Sequence, residues 1–247
     1  MLTLNLVIVL AIVGFLIGVS KTAFAGLGLV SVAILANFIP ARESTGVLLI
    51  LLITGDLFAI KLYFKHVEWK LIRSISGPVV LGIFGGVLFL ATTNDEALRR
   101  TIGVVIVLLV LLFPVAQKLQ SGARAPLTKF PNVIKNSLGT IAGFMSMVAN
   151  SGGAPMSIFL LLSRNSKMTF LGNTAWIFFL INLFKVPFIL ALGILSINSL
   201  EYLLPSIPAV VLGTLVGKKL ISRVNMAWFQ KVTLLSALLA GVRLLLS

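Results

Sequence analysis

GFLIGVSKTAFAGLGLVSVAIL, residues 14–35, recurs about 125 positions later as GTIAGFMSMVANSGGAPMSIFL, residues 139–160. The glycines at positions 14, 18 and 28 match those at 139, 143 and 153. Later in each half, the element VVLG with a further glycine four positions on occurs at 79–86 and again at 210–217. Self-similarity at a fixed offset indicates a duplicated structural unit. The chain is therefore predicted to consist of two related halves.

The composition places both halves in lipid. Of 247 residues, 59% are hydrophobic and only 11% are charged, with a mean hydropathy of +1.13. Such a chain has too little polar surface to cover a soluble globule. Its net charge of +14 does not indicate nucleic-acid binding, because the basic residues fall mainly in short breaks between apolar runs. The apolar run at 4–19 lacks a preceding basic residue and is interpreted as mature structure, not as a signal peptide.

Two kinds of apolar segment alternate along the chain. Six have the length of plain membrane spans, which need about 20 apolar residues; they lie at 44–63, 71–91, 99–117, 170–194, 200–221 and 227–246. Two odd segments, 2–38 and 133–162, each precede a set of three spans and carry polar residues at their centres. Each is too long for one upright span and short for two. We therefore predict broken-helix, re-entrant hairpins of shortened helices.

The distribution of basic residues distinguishes hairpins from single crossings. Membrane proteins concentrate Lys and Arg in their cytoplasmic loops. If each odd segment enters and leaves on one side, the cytoplasmic face collects fourteen basic residues, Lys61, Lys65, Lys70, Arg73, Lys118, Arg124, Lys129, Lys135, Arg164, Lys167, Lys218, Lys219, Arg223 and Lys231. The other face then holds four, Arg42, Arg99, Arg100 and Arg243. Single crossings would divide the same residues nine and nine, so hairpins are favoured.

These observations predict an all-α polytopic membrane protein made of two inverted repeats. Each repeat is a re-entrant hairpin followed by three transmembrane helices, with the first repeat at 1–120 and the second at 132–247. A cytoplasmic linker at 121–131 joins them, and both termini lie outside the cytoplasm. Glycine-broken segments in matching places of two halves are typical of secondary transporters, whose substrate site lies near the bilayer midplane. The predicted location is the cytoplasmic (inner) membrane.

The broken segments are the first place where a ligand is expected. A half-helix N-terminus inside the membrane presents unpaired N–H groups and the positive end of the helix dipole, which attract an anion. The alternative is that these glycines only allow close helix packing. The candidate substrate-binding residues of the two breaks are Lys21, Thr22, Gly26, Gly28, Asn150, Ser151, Gly152 and Gly153.

Three deep charges form the second group of candidates, because an ionisable residue inside a membrane segment is a functional candidate by default. Lys21 lies at the first break, and Asp56 and Lys185 are 129 positions apart on corresponding helices. Lys21 and Lys185 are predicted to bind the substrate together with Asn173 and Asn182, whereas Asp56 is predicted to be a coupling or structural charge. Helix capping for Asn173, a structural ion pair, and a Lys185 that snorkels to the interface are the alternatives.

Other chemistries find little support in the sequence. Neither Ser20 nor Ser151 has a nearby acid or histidine to activate it, and the six acidic residues show no metal-ligand or acid-base spacing. His66, the sole histidine, lies in a basic loop and is interpreted as surface. No enzyme activity, cofactor or metal is predicted. The expected partners are a small anionic substrate and the lipid bilayer, without nucleic acid; a homo-oligomer is left open.

Taken together, these motifs resemble the TauE/SafE family of sulfite exporters and sulfur-anion permeases. The resemblance is carried by GVSKTAFAGLGL and GFMSMVANSGGAP, by Ser44-Thr45 and Asn173-Thr174 on the next helices, and by LGxxxG at 81–86 and 212–217. It implies movement of a sulfur-containing oxyanion or organosulfonate across the membrane. A passive anion channel and a non-transporting membrane assembly protein are the alternatives, and the direction of transport is open.

Overall fold

The computed structural model describes residues 3–22, 27–122, 132–163, 166–195, 201–220 and 226–246. In these ranges the regular structure is helical throughout. The helices are α1 Leu4–Thr22, α2 Leu27–Phe38, α3 Ala41–Tyr63, α4 Trp69–Thr92, α5 Asp95–Gly122, α6 Asn132–Ala149, α7 Gly153–Leu162, α8 Lys167–Ala191, α9 Leu203–Leu220 and α10 Met226–Leu246. A short 3-10 turn, Phe64–His66, follows α3. The predicted linker at 121–131 lies almost wholly outside the described residues.

Each odd segment forms two helices that pack against each other, α1 with α2 and α6 with α7. The prediction of shortened helices is wrong for α1, which is long and apolar enough to cross a membrane. Helix α1 has 19 residues and α6 has 18, or roughly 27–29 Å each, close to the thickness of the hydrocarbon core. Only the returning helices are short, with 12 residues in α2 and 10 in α7. Each hairpin therefore joins a nearly full-length arm to a short one.

Four helical segments are long and apolar enough to cross a membrane, judged over the described residues: Leu4–Thr22, Ala41–His66, Trp69–Thr92 and Met168–Ala191. The last three coincide with the spans predicted at 44–63, 71–91 and 170–194. The first belongs to an odd segment that was not predicted to contain a full span. The remaining predicted spans coincide with α5, α9 and α10, which are helices, but their crossing of the membrane stays a prediction.

The two halves contact each other through two helix pairs, each with one helix from either half. Helix α1 of the first half packs along α9 of the second, and α6 of the second half packs along α4 of the first. We call these two helix–helix contacts the α1–α9 seam and the α4–α6 seam. Glycines make both seams possible, because a Cβ at Gly18 would overlap the carbonyl oxygen of Val210 and one at Gly143 would overlap that of Val79. For these duplicated glycines, close helix packing is the explanation that the structure supports.

Corresponding helices of the two halves also face each other, and they run antiparallel. Gly46 near the start of α3 lies against Ile194 just after α8, while Gly172 near the start of α8 lies against His66. Likewise, Gly103 of α5 contacts Leu245 of α10, and α10 contacts α5 again further along both helices. The antiparallel crossing of α3 and α8 brings their middles together, and the deep charges lie there.

Candidate functional site

Asp56 on α3 is the centre of a buried polar cluster. Its carboxylate accepts from Lys21 Nζ at 2.5 Å and from Asn182 Nδ2 at 2.8 Å. Lys21 reaches Asp56 from the end of α1 and passes Gly55, where a Cβ would lie 2.9 Å from the lysine Cγ. The Nζ of Lys21 lies 5.5 Å from the centroid of the Phe178 ring. Asp56 is 1% exposed. A buried carboxylate requires such a partner, and Lys21 and Asp56 form an ion pair in this conformation.

Lys185 on α8 is completely buried and is held by oxygen atoms that carry no formal charge. Its Nζ donates to the Ser146 carbonyl oxygen at 2.7 Å, to Asn150 Oδ1 at 2.7 Å and, more weakly, to Asn182 Oδ1 at 3.4 Å. The alternative in which Lys185 snorkels to the interface is therefore wrong, because the side chain is 0% exposed. Asn182 contacts both Asp56 and Lys185, so it joins the two predicted charges into one cluster.

Asn150 fixes the break between α6 and α7 to the rest of the cluster. Its backbone φ of 50° lies in the left-handed region, which Asn tolerates better than most residues. Its Nδ2 donates to the Thr45 carbonyl oxygen on α3 at 3.1 Å, while its Oδ1 receives Lys185. One side chain thus ties the broken segment to α3 and to α8. A movement of this break would therefore alter contacts to both α3 and α8.

The other residues of the second break have separate roles. Ser151 is 3% exposed, and its hydroxyl donates to the Ala149 carbonyl oxygen at 2.7 Å. Gly152 packs on α6, where a Cβ would overlap the Ala142 carbonyl oxygen. Gly153 begins α7, and a Cβ there would meet nothing within 4 Å. Close packing therefore does not explain the glycine at this position.

The corresponding residues of the first break differ in what they contact. Gly28, the equivalent of Gly153, would bring a Cβ no closer than 3.8 Å to Ser20 Oγ. Thr22 is buried in the α1–α9 seam, with its hydroxyl 3.1 Å from the Thr214 carbonyl oxygen and 3.3 Å from that of Gly18. Thr22 therefore serves the packing of α1 and not the charged cluster. Gly26 lies outside the described residues.

Asn173 is a second predicted site residue that the structure places away from the charged cluster. It lies at the start of α8, where its Oδ1 accepts from the Glu68 backbone N–H at 2.7 Å. Along the helix it precedes Asn182 by nine residues, roughly 13 Å. The capping alternative does not describe it either, because Ser166 is the N-cap of α8. Asn173 instead holds the turn between α3 and α4.

Ser146 belongs to the buried polar cluster, and the sequence analysis did not identify it as a candidate. It takes part through its backbone carbonyl oxygen, and only weakly through its hydroxyl at 3.5 Å. Because every residue has a backbone carbonyl oxygen, the residue type at position 146 does not indicate this hydrogen bond. The available signal was positional, since Ser146 lies 125 positions after Lys21 and so occupies the equivalent place in the duplicated segment.

A cavity of about 220 Å³ lies between α4 and α8, and no residue of the charged cluster lines it. Its lining is almost entirely apolar and includes Ile75, Val79, Ile181 and Phe184. Such a lining does not suit an anion. Among the described residues, no three His, Cys, Asp or Glu side chains are grouped so that they could hold a metal. The polar cluster around Asp56 and Lys185 is therefore the candidate site.

The cluster can bind negative charge but is closed in this conformation. It combines two ammonium groups, one carboxylate and two side-chain amides, contributed by helices of both halves. Asp56, Asn182 and Lys185 are each at most 2% exposed. A guest can reach Lys185 only if helices or side chains move.

Comparison with known proteins agrees with the resemblance noted in the sequence. The family model described as Sulfite exporter TauE/SafE matches residues 10–244, which is nearly the whole chain. No curated protein and no solved structure matches the chain significantly.

Proposed function

The chain belongs to the sulfite exporter TauE/SafE family, and we propose that it is a secondary transporter for a small anion. The family assignment and the apolar helices make it a multi-pass membrane protein of anion transport. The proposed cargo is a sulfur-containing oxyanion or organosulfonate. It would cross the cytoplasmic membrane by alternating access, with the two halves moving around the cluster at Asp56 and Lys185.

One observation carries this proposal. Lys185 is an ammonium group that is fully buried in a helix of membrane-spanning length, and its two shortest hydrogen bonds go to neutral oxygens of Ser146 and Asn150 on the broken segment of its own half. Burying a lysine inside a membrane segment costs free energy, and such a residue is a functional candidate by default. An anion that entered beside Asn150 would supply the negative charge that is missing next to the Lys185 ammonium group. It would also lie close to the N-terminus of α7.

The proposed architecture is a pair of inverted repeats. Its support is the antiparallel course of α3 against α8 and of α5 against α10, since equivalent helices of oppositely oriented repeats cross the membrane in opposite directions. Single crossings by the odd segments would make α3 and α8 run in the same direction. The distribution of basic residues then puts both termini outside the cytoplasm and the linker inside. The boundaries at 1–120 and 132–247 remain part of this proposal.

The closed state of the cluster favours a transporter over a passive channel. A channel needs a continuous path, whereas Lys185 and Asp56 are enclosed by α1, α3, α6 and α8 in this conformation. Alternating access requires such a closed or occluded arrangement at some stage. Asp56 remains the proposed coupling charge, because it is the carboxylate that contacts the cluster's lysines directly or through Asn182.

The test is uptake by the purified protein in proteoliposomes, with labelled sulfite, thiosulfate and organosulfonates on one side. A transporter saturates and shows counterflow, in which an anion trapped inside accelerates entry of label from outside. Flux that rises linearly with concentration and lacks counterflow would indicate a channel. The absence of flux for every anion, in protein shown to be folded, would refute the transport proposal.

A further inference from the structure

The buried cluster holds more positive than negative side chains. Lys21 and Lys185 contribute two ammonium groups, and Asp56 contributes one carboxylate. Asp56 contacts Lys21 directly, and Asn182 contacts both Asp56 and Lys185, so the three charges belong to one connected cluster. With all three ionised, the cluster carries a formal charge of +1. An uncompensated charge in a low-dielectric interior is unfavourable, so the cluster attracts one negative charge.

The duplicated sequence shows where that charge is missing. Position 146 is equivalent to position 21 at the offset of 125, and position 185 is equivalent to position 56 at the offset of 129. The structure pairs these positions in both halves, as Lys21 with Asp56 and as Ser146 with Lys185. The first pair contains a cation and an anion. The second contains a cation and a neutral carbonyl oxygen, so it is one negative charge short.

The hydrogen bonds of the two pairs differ accordingly. Asp56 is matched by Lys21 at 2.5 Å, whereas the Lys185 ammonium has the neutral acceptors of Ser146, Asn150 and Asn182. These acceptors satisfy the three N–H donors without balancing the charge. Because Ser146 lies in the last turn of α6 and Asn150 at the break that follows it, movement of that break would open the position that a guest anion needs.

We infer that the site selects its guest by charge and binds one net negative charge at a time. A monoanion, such as a sulfonate with an uncharged remainder, brings the cluster to neutrality. A dianion would leave it at −1, so it binds together with one proton, for which the Asp56 carboxylate is the acceptor beside the two lysines. This inference rests on the proposed function, since it assumes that the cluster is the anion site.

A set of four proteins of matched size varies the charge of the cluster. The wild type carries +1, Asp56→Asn carries +2, Lys21→Gln carries 0, and the Lys21→Gln/Asp56→Asn double variant returns to +1. The two probes are isethionate, a monoanion, and sulfoacetate, a dianion of similar size. Binding is measured by calorimetry on purified protein in nanodiscs, after size-exclusion chromatography has shown each protein to be folded.

We expect the wild type and the double variant to prefer isethionate, and Asp56→Asn to prefer sulfoacetate, with a change in the affinity ratio of about tenfold or more. Lys21→Gln should bind both probes more weakly than the wild type does. Equal probe preference in all four proteins would overturn the inference.

A second measurement needs no variant and so does not depend on folding of the mutants. Calorimetry in buffers of different ionisation enthalpy counts the protons taken up on binding. The wild type should take up about one proton with sulfoacetate and none with isethionate, and its affinity for sulfoacetate should rise about tenfold per unit of acidification. Sulfoacetate binding without proton uptake would refute charge selection but leave anion transport intact. Failure of sulfite, thiosulfate and both probes to bind would instead refute the proposed function.

Discussion

Replacing Lys185 with methionine separates a functional lysine from a structural one. Methionine has a similar length and no charge, so Lys185→Met keeps most of the side-chain volume in α8. It removes two short hydrogen bonds, to the Ser146 carbonyl oxygen and to Asn150 Oδ1, each 2.7 Å long. It also removes a fully buried ammonium group. These two losses act on stability in opposite directions.

The effect on stability should be small. Each charge-assisted hydrogen bond contributes about 1.5–3 kcal/mol, whereas burial of an ammonium group costs several kcal/mol. Because the acceptors are neutral, no uncompensated charge is left behind. We expect the free energy of unfolding to change by about 2 kcal/mol at most, or roughly 4–8 °C in Tm. Lys21→Met is the informative contrast, because it leaves the Asp56 carboxylate buried without its cation and should cost about 3–5 kcal/mol.

The effect on transport should be large. If the substrate anion contacts the Lys185 ammonium, the variant loses a charge-assisted contact worth about 1.5–3 kcal/mol, which corresponds to roughly a 10- to 150-fold loss of transport efficiency. Lys61→Met, at an exposed position of α3, is the matched control and should transport as the wild type does.

The assay combines initial uptake rates in proteoliposomes with thermal unfolding of the same preparations. The expected pattern for Lys185→Met is lost transport with a change in Tm no larger than roughly 4–8 °C, smaller than that of Lys21→Met. Full transport by Lys185→Met would remove this lysine from the substrate site. A fall in Tm as large as that of Lys21→Met would mean that Lys185 is structural, and it would refute the reasoning.

Three further predictions concern the seams, the break and the topology. Gly143→Ala should lower the free energy of unfolding by about 1–3 kcal/mol, because its Cβ meets the Val79 carbonyl oxygen. The control Gly77→Ala, whose Cβ meets nothing within 4 Å, should leave stability unchanged or raise it. Equal Tm values for the two variants would contradict the close contact between α4 and α6. Asn150→Gly should keep the left-handed backbone but lose both amide contacts, so we expect a folded protein with reduced uptake; unimpaired uptake would show that the Asn150 side chain is dispensable. In this cysteine-free chain, Thr92→Cys should react with impermeant maleimide from outside intact cells and Lys65→Cys should not; the reverse pattern would invert the proposed topology.

Several features of the site could be predicted from the sequence because they depend on the cost of polar groups in lipid. Lys21, Asp56 and Lys185 stood out as the deepest charges, and Asn182 as a mid-span amide. The structure brings all four into one cluster. The duplication also identified Asp56 and Lys185 as equivalent positions, which is why both lie where α3 crosses α8.

Other residues could not be assigned because their sequence signal has two physical causes. A glycine in an apolar helix suits both a ligand site and a close helix contact, since each requires the absence of a side chain. Gly152 proved to be a packing glycine and Gly153 an open one, although they are neighbours. Asn173 and Thr22 likewise suited a ligand site, but their contacts are with backbone groups elsewhere.

The sequence by itself determined the helical membrane class, the duplication and the identity of the deep charges, because hydropathy and repeat offsets are properties of the chain read in order. Tertiary structure decided which partner each charge has. Lys21 pairs with Asp56 across the first half, and Lys185 meets the Ser146 carbonyl oxygen and Asn150. These contacts join residues 35 or 39 positions apart, and they exist only because glycine seams and the antiparallel crossing of α3 and α8 fix where four helices meet.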